Sequence, residues 1–281
     1  MADTGAQPAD GGTAAGSSPS PVRILQLTDL HLYGDPDGRL LGQNTRDTLE
    51  SVLALAQRRH WPPHALLLTG DLVHDERVEG YRFLRERIAR LGLPCYCLPG
   101  NHDRIDLLAG FLDADAVSAF RLIRLGAWDL VLLDSTIPGE EGGHLPPILM
   151  AELDRHARAN PRRHLLIFAH HHPAPVGSRW IDTMAIDNGA DLLAVAAAHE
   201  NIRAVVCGHV HQAFEAIGAG ISWISTPSTC LQFLPGSEEF ALDDLTPGYR
   251  WLELYADGRL ETAVVRTAAY PEPLRRSTSG Y

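Results

Sequence analysis

Five short patterns in this sequence carry side chains able to hold divalent transition metals. They are Asp29-x-His31, Gly70-Asp71, Gly100-Asn101-His102-Asp103, His170-His171-His172-Pro173 and Gly208-His209-x-His211. Carboxylate, amide and imidazole donors without thiolate permit Fe, Mn, Zn or Co. Each pattern closes an apolar or β-branched run: 24–28, 66–69, 95–98, 165–169 and 204–207. A lone Asp or His at a strand end is ordinarily a turn residue, a cap or a hydrogen-bonded side chain. Five of them, each ending an apolar run, point to one shared site. In the first pattern, positions i and i+2 of an extended segment face the same way, so Asp29 and His31 can reach one ion.

The elements that position these residues follow from periodicity. Residues 22–28 read as a strand and 32–44, rich in Gly, Asp and Pro, as a loop. Leu49, Val52, Leu53 and Ala56 repeat at three and four, which predicts a helix over 45–60 with Thr45 as cap. Trp61-Pro62-Pro63 stops it. A second helix is predicted over 76–91, ended by Gly92. The order is then β-α-β-α-β with the polar patterns always after the strand, as in α/β sheets whose sites lie beyond the strands' carboxyl ends. Strands 121–125 and 128–134 form a predicted hairpin, helices follow at 146–159 and 189–199, and strands at 221–225, 249–255 and 260–266. Two packed sheets with helices outside are expected.

Composition narrows the functional classes. The net charge of -11 argues against a basic nucleic-acid-binding surface, and no apolar run is long enough to span a membrane. The four cysteines, Cys95, Cys97, Cys207 and Cys230, fit neither a disulfide framework nor a zinc-finger spacing, which favours a reducing, cytoplasmic setting. Residues 1–20 are Ala, Gly, Ser, Asp and Pro without a hydrophobic stretch and read as a disordered tail; 21–281 reads as a single domain.

Taken together, the patterns from Val22 onward resemble the calcineurin-like metallophosphoesterases. The resemblance implies a four-layer α/β/β/α sandwich of two mixed β-sheets flanked by helices, with two divalent metal ions per chain. It implies Asp29, His31 and His211 on the first ion, Asn101, His170 and His209 on the second, and Asp71 bridging them. His102 is then the catalytic histidine that binds no metal, and His31, Asp71, Asn101, His102 and His211 also face the substrate. With Pro175 and Gly177 matched, the histidine ligand falls on His170; His171 is the alternative, and His172 is placed in the loop.

The chemistry is consistent with those roles. Two ions about 3.5–4 Å apart can clamp a phosphoryl group and activate water. Asp71 could give one oxygen to each, and Asn101 offers a neutral carbonyl beside an anionic substrate. Protonated, His102 could donate to a leaving alkoxide. Asp103 is either a partner that orients His102 or a solvated turn residue. His74 is either a neighbour of the ligands or, the commoner case, a surface histidine.

Further segments are similar to bacterial class III 3′,5′-cyclic-AMP phosphodiesterases. They are His31-Leu32, Leu41-Gly42-Gln43-Asn44-Thr45, His170-His171-His172-Pro173, the 226–233 run Thr-Pro-Ser-Thr-Cys-Leu-Gln-Phe, Thr246-Pro247-Gly248-Tyr249-Arg250 and Ser279-Gly280-Tyr281. That resemblance implies cyclic AMP as substrate, Fe(II) or Mn(II) as metals, and 226–250 as a substrate-side region. The adenine is expected against loops outside the metal motifs, those near Trp180 and 226–233. The alternatives are a broader phosphodiesterase acting on glycerophosphodiesters or 2′,3′-cyclic nucleotides, and an idle scaffold. The expected partner is a cyclic nucleotide, with neither nucleic acid nor membrane; a homodimer is one arrangement left open.

Overall fold

The computed structural model describes residues 20–112 and 118–276. All but the last residue of the expected tail, and the Ser279-Gly280-Tyr281 pattern, lie outside them. A five-stranded sheet has the order β13-β12-β1-β4-β5, built from Leu260–Arg266, Gly248–Leu254, Val22–Leu27, Ala65–Thr69 and Cys95–Leu98. A six-stranded sheet has the order β10-β11-β9-β8-β7-β6, built from Phe214–Gly218, Ile221–Ser225, Ile202–Cys207, His164–Ala169, Trp128–Leu133 and Phe120–Leu125. Both are mixed: β1, β4 and β5 run parallel, with antiparallel pairing on the β12 side, and β7, β8, β9 and β11 run parallel between antiparallel β6 and β10.

Strand alternation sorts the core into three layers. On β4, Ala65 and Leu67 face the other sheet and meet Leu166, Phe168, Ala204 and Val206. Leu66 and Leu68 point outward to Leu49, Val52 and Leu53 of α1 (Thr45–Arg59) and Tyr81 and Leu84 of α2 (Val78–Ala89), with Leu108 of α3 (Ile105–Phe111) alongside. On the far side Ile167 and Val205 meet Leu153 of α4 (Pro147–Ala159) and Leu192 of α6 (Gly189–Ala197), while α5 (Arg179–Asp182) is one short turn. The expected four layers are therefore present. Strands buried on both faces explain the near-continuous apolar runs.

The differences are local. Asn44, not Thr45, caps α1; its side chain accepts from Arg46 and Asp47 N–H, a contact worth about 1 kcal/mol. The stretch read as loop contains a small hairpin, β2 (Arg39–Leu40) and β3 (Gln43–Asn44). Neither β10 nor α3 was expected. Among the described residues no helix is long and apolar enough to cross a membrane.

Candidate metal centre

The polar patterns follow the carboxyl ends of β1, β4, β5, β8 and β9, and the two sheets bring those ends together. Backbone pairing sets the first two. Asp29 N–H donates to Gly70 O at 3.0 Å, His31 N–H to Asp71 O at 2.9 Å, and Leu32 N–H to Leu72 O at 3.0 Å, so the loops after β1 and β4 run side by side. Across the sheets, His209 N–H donates to the Asp29 carboxylate at 3.1 Å.

The backbone is bent hard here. Asp29, His31, Asp71, His209 and His211 all have φ between 46° and 65°, the left-handed region. For residues carrying a Cβ this costs roughly 1–2 kcal/mol each. Such strain clusters at functional sites, where the surrounding structure enforces it. Gly70, at φ 98°, must lack a side chain: a Cβ there would strike His170 Nδ1.

One group is Asp29, His31 and His211. Asp29 Oδ1 lies 3.4 Å from His211 Nε2, and His31 Nε2 lies 3.2 Å from His211 Nε2. Two nitrogens each about 2.1 Å from a common ion would sit about 3.0 Å apart at right angles and about 3.4 Å apart at the tetrahedral angle. His211 Nδ1–H donates to Leu231 O at 2.8 Å, which leaves its Nε2 as the lone-pair atom.

A second group is marked by buried atoms without hydrogen-bond partners: Asn101 Oδ1, His170 Nε2 and His209 Nε2. Buried polar atoms are rarely left so; donor atoms of His170, His171 and His209 lie within 4.8 Å of one another, and Asn101 lines one cavity with His209, which fits the place of a cation. His170 Nδ1–H donates to Thr69 O at 2.8 Å, again freeing Nε2. His171 has no such freedom: its Nδ1 bonds Ser135 Oγ at 2.8 Å and its Nε2 bonds Glu141 O at 3.1 Å. His172 does lie in the loop, yet it is buried, with Nε2 3.4 Å from Asp182 Oδ1.

Asp71 stands between the groups. Its Oδ2 is 3.2 Å from His170 Nε2 and 3.7 Å from His31 Nε2. Its Oδ1 instead accepts from His102 N–H at 3.0 Å, so one oxygen, not one for each group, faces both.

The electrostatics favour cations. Burial is the largest effect on His170 and pulls its pKa down, but the Asp71 and Asp29 carboxylates outweigh it and raise it to about 9. Burial likewise pushes Asp71 up, yet His170, His102 and His31 hold it well below the usual carboxylate range. The gap between Asp71 and His170 thus attracts positive charge, which a proton or a metal ion can supply. Burial, reinforced by neighbouring histidines, drives His31 and His209 well below the ordinary imidazole value, leaving the neutral form that ligates.

His102 lines a cavity together with the polar Asp71, Asn101, Glu141 and His209 and the apolar Ile181, Met184 and Phe233. The Trp180 ring lies edge-on to Phe233 at 4.9 Å. Two readings need correction. Asp103 is no free turn residue: its half-buried carboxylate accepts from Leu72, Val73 and Gly100 N–H and from Tyr81 O–H, clamping two site loops. Burial and the Asp71 charge push it up to about 6. His74 is not a surface residue but packs between His31, His102 and Tyr33.

The 226–233 run, expected against substrate, is mostly turned inward. Ser228 Oγ donates to Asp29 O at 2.7 Å, Thr229 N–H donates to Thr28 O at 3.1 Å, and Leu231 O holds His211. Phe233 lies flat on His211, with centroids 4.0 Å apart and planes at 4°. Sequence carried no signal for this bracing; an aromatic before a loop reads as core.

The family model described as calcineurin-like phosphoesterase matches residues 22–213, which span all five patterns. The chain belongs to the calcineurin-like phosphoesterase family. Among its relatives is a protein of Vibrio vulnificus named 3′,5′-cyclic adenosine monophosphate phosphodiesterase CpdA, 36% identical over 94% of this chain and 97% of that one. An Escherichia coli protein of the same name is 38% identical over 88% of this chain and 90% of its own. Of solved structures, a dimetal phosphatase from Danio rerio superposes with TM-score 0.61 at 16% identity, covering 88% of this chain and all of that one. A purple acid phosphatase from yellow lupin gives TM-score 0.66 at 12% identity, covering 92% of this chain and 53% of its own. Those two structures speak for the fold alone.

Proposed function

We propose that the chain hydrolyses 3′,5′-cyclic AMP to 5′-AMP at this centre. The reaction class rests on Asn101 Oδ1 and His209 Nε2, buried atoms without a hydrogen-bond partner that line one cavity with Asp71, and on His170 Nε2, 3.2 Å from Asp71 Oδ2. The substrate rests on the relatives' names, whose identity runs nearly the full length of both chains. Two divalent ions, Fe(II) or Mn(II), would supply Lewis acidity and an activated water. Asp29, His31 and His211 would hold one, Asn101, His170 and His209 the other, and Asp71 Oδ2 would lie between them.

The chain's own groups account for the rest. Water adds across the P–O3′ bond: its oxygen joins phosphorus and a proton ends on O3′. The 3′-alkoxide is a poor leaving group, and His102, which lines the cavity outside both ligand groups, would protonate it. His31, Asp71, Asn101 and His211 face the same phosphate. Asn101, a neutral donor, adds no repulsion against the anion. Ile181, Met184 and Phe233 give the nucleoside an apolar wall. The reading takes 21–281 as one domain, supported by the core shared between the sheets. A cytoplasmic setting is supported by four free cysteines.

Product analysis on metal-loaded protein tests it. Cyclic AMP should give 5′-AMP, and chelation should stop turnover. Glycerophosphodiesters or 2′,3′-cyclic nucleotides turning over while cyclic AMP is untouched would overturn the substrate.

The histidine run offers a sharper check. His170→Ala is expected to weaken one metal site by more than the roughly 10–100-fold that losing a ligand's orienting partner costs. His171→Ala, which removes bonds to Ser135 and Glu141, should cost much less, and His172→Ala least. Chelator competition reads this directly. Metal loss in the His171 variant with retention in the His170 variant would transfer the role to His171.

A further inference from the structure

His74 belongs to neither ligand group, yet it touches one member of the first and the residue placed to donate a proton. Its Nδ1 lies 3.1 Å from His31 Nδ1. Its ring stacks on His102, with centroids 4.8 Å apart and planes at 25°. Tyr33 flanks it at 5.1 Å.

The direction of the hydrogen bond follows from the other end of His31. His31 Nε2 faces His211 Nε2 and Asp71 Oδ2, where a ligand needs its lone pair. The proton of the neutral ring then sits on Nδ1 and is donated to His74 Nδ1. Metal-ligating histidines almost always give this proton to a carboxylate, carbonyl or water, which fixes tautomer and orientation. Here the acceptor is a second imidazole. A neutral acceptor holds His31 without adding negative charge beside an anionic phosphate.

The loop is held by backbone pairs, His74 N–H to Leu32 O at 2.8 Å among them. The Asp75 carboxylate accepts from Gly34 N–H at 3.0 Å and Arg77 N–H at 3.3 Å.

We propose that His74 is a positioning residue with two separable tasks: its Nδ1 fixes His31, and its ring face steadies His102. This rests on the reading of His31 as a ligand and His102 as the proton donor. The tasks separate chemically, because Asn places an acceptor near the position of Nδ1 without a ring, and Phe supplies the ring without an acceptor.

The test compares His74→Asn and His74→Phe in the full chain. Metal affinity is read by chelator competition without substrate, and kcat and KM with cyclic AMP at saturating metal. His74→Phe should lose about 10–100-fold in metal affinity, the usual cost of removing a ligand's hydrogen-bond partner. His74→Asn should stay within about threefold of wild-type affinity but lose about tenfold in kcat at constant KM, within the range for such partners. The kcat loss in His74→Phe should be the smaller of the two. Equal metal loss in both variants would remove the first task, and undiminished kcat in His74→Asn the second. Wild-type holoprotein that leaves cyclic AMP intact would defeat the proposed function, while the affinity comparison would still decide the His31 bond.

Discussion

Replacing Asp71 by Ala is expected to strip the centre of both metal ions and abolish turnover. Two divalent ions about 3.5–4 Å apart repel by about 15–20 kcal/mol even at an effective dielectric of about 20. Only an anion between them offsets that, and Asp71 Oδ2, facing both His170 and His31, is so placed. The substitution also frees His102 N–H from its bond to Oδ1. Asp71→Asn keeps the shape without the charge, so it should lose metal too, separating charge from packing. Elemental analysis of folded variants, with circular dichroism to confirm the fold, measures this. Unchanged metal content in either variant would end the bridging assignment.

The second large effect is His102→Ala, with the opposite signature. The backbone N–H that anchors Asp71 survives the change, so the metals should remain. Turnover of cyclic AMP should fall by about 10²–10⁴, the range for losing a general acid. The loss should shrink for a diester with a nitrophenolate leaving group, which needs little protonation. Wild-type rates on cyclic AMP, or equal losses on both substrates, would show that His102 does not donate the proton.

The strand ends were legible because parallel strands buried on both faces must be near-continuous apolar runs, and sites of such sheets lie past their carboxyl ends. A run such as Leu66–Thr69 followed by Gly70-Asp71 therefore announces both the strand and the position of its polar residue. Side-chain surroundings were not legible. His74 has the sequence context of a loop residue, and only the pairing of the β1 and β4 loops encloses it. Asp103 was read from its neighbour His102, although several of its partners, Leu72, Val73 and Tyr81, lie far back in the chain. The left-handed turns at Asp29, His31, Asp71, His209 and His211 were invisible for a simpler reason: even for Asp and His, which adopt them more than most residues, such conformations are uncommon, and nothing in the neighbouring sequence marks them.

The two candidate ligand groups draw on both sheets. Asp29, His31, Asp71 and Asn101 follow strands of the five-stranded sheet, whereas His170, His209 and His211 follow strands of the six-stranded one. Metal ions held there would rivet two halves of the molecule together. Neither half alone could display the complete set of donors, so catalytic competence would be a property of the docked pair. The ions would in turn favour docking by mass action, adding about 2.7 kcal/mol when free metal exceeds its dissociation constant a hundredfold. Metal supply would then govern the lifetime of the folded chain as well as its chemistry.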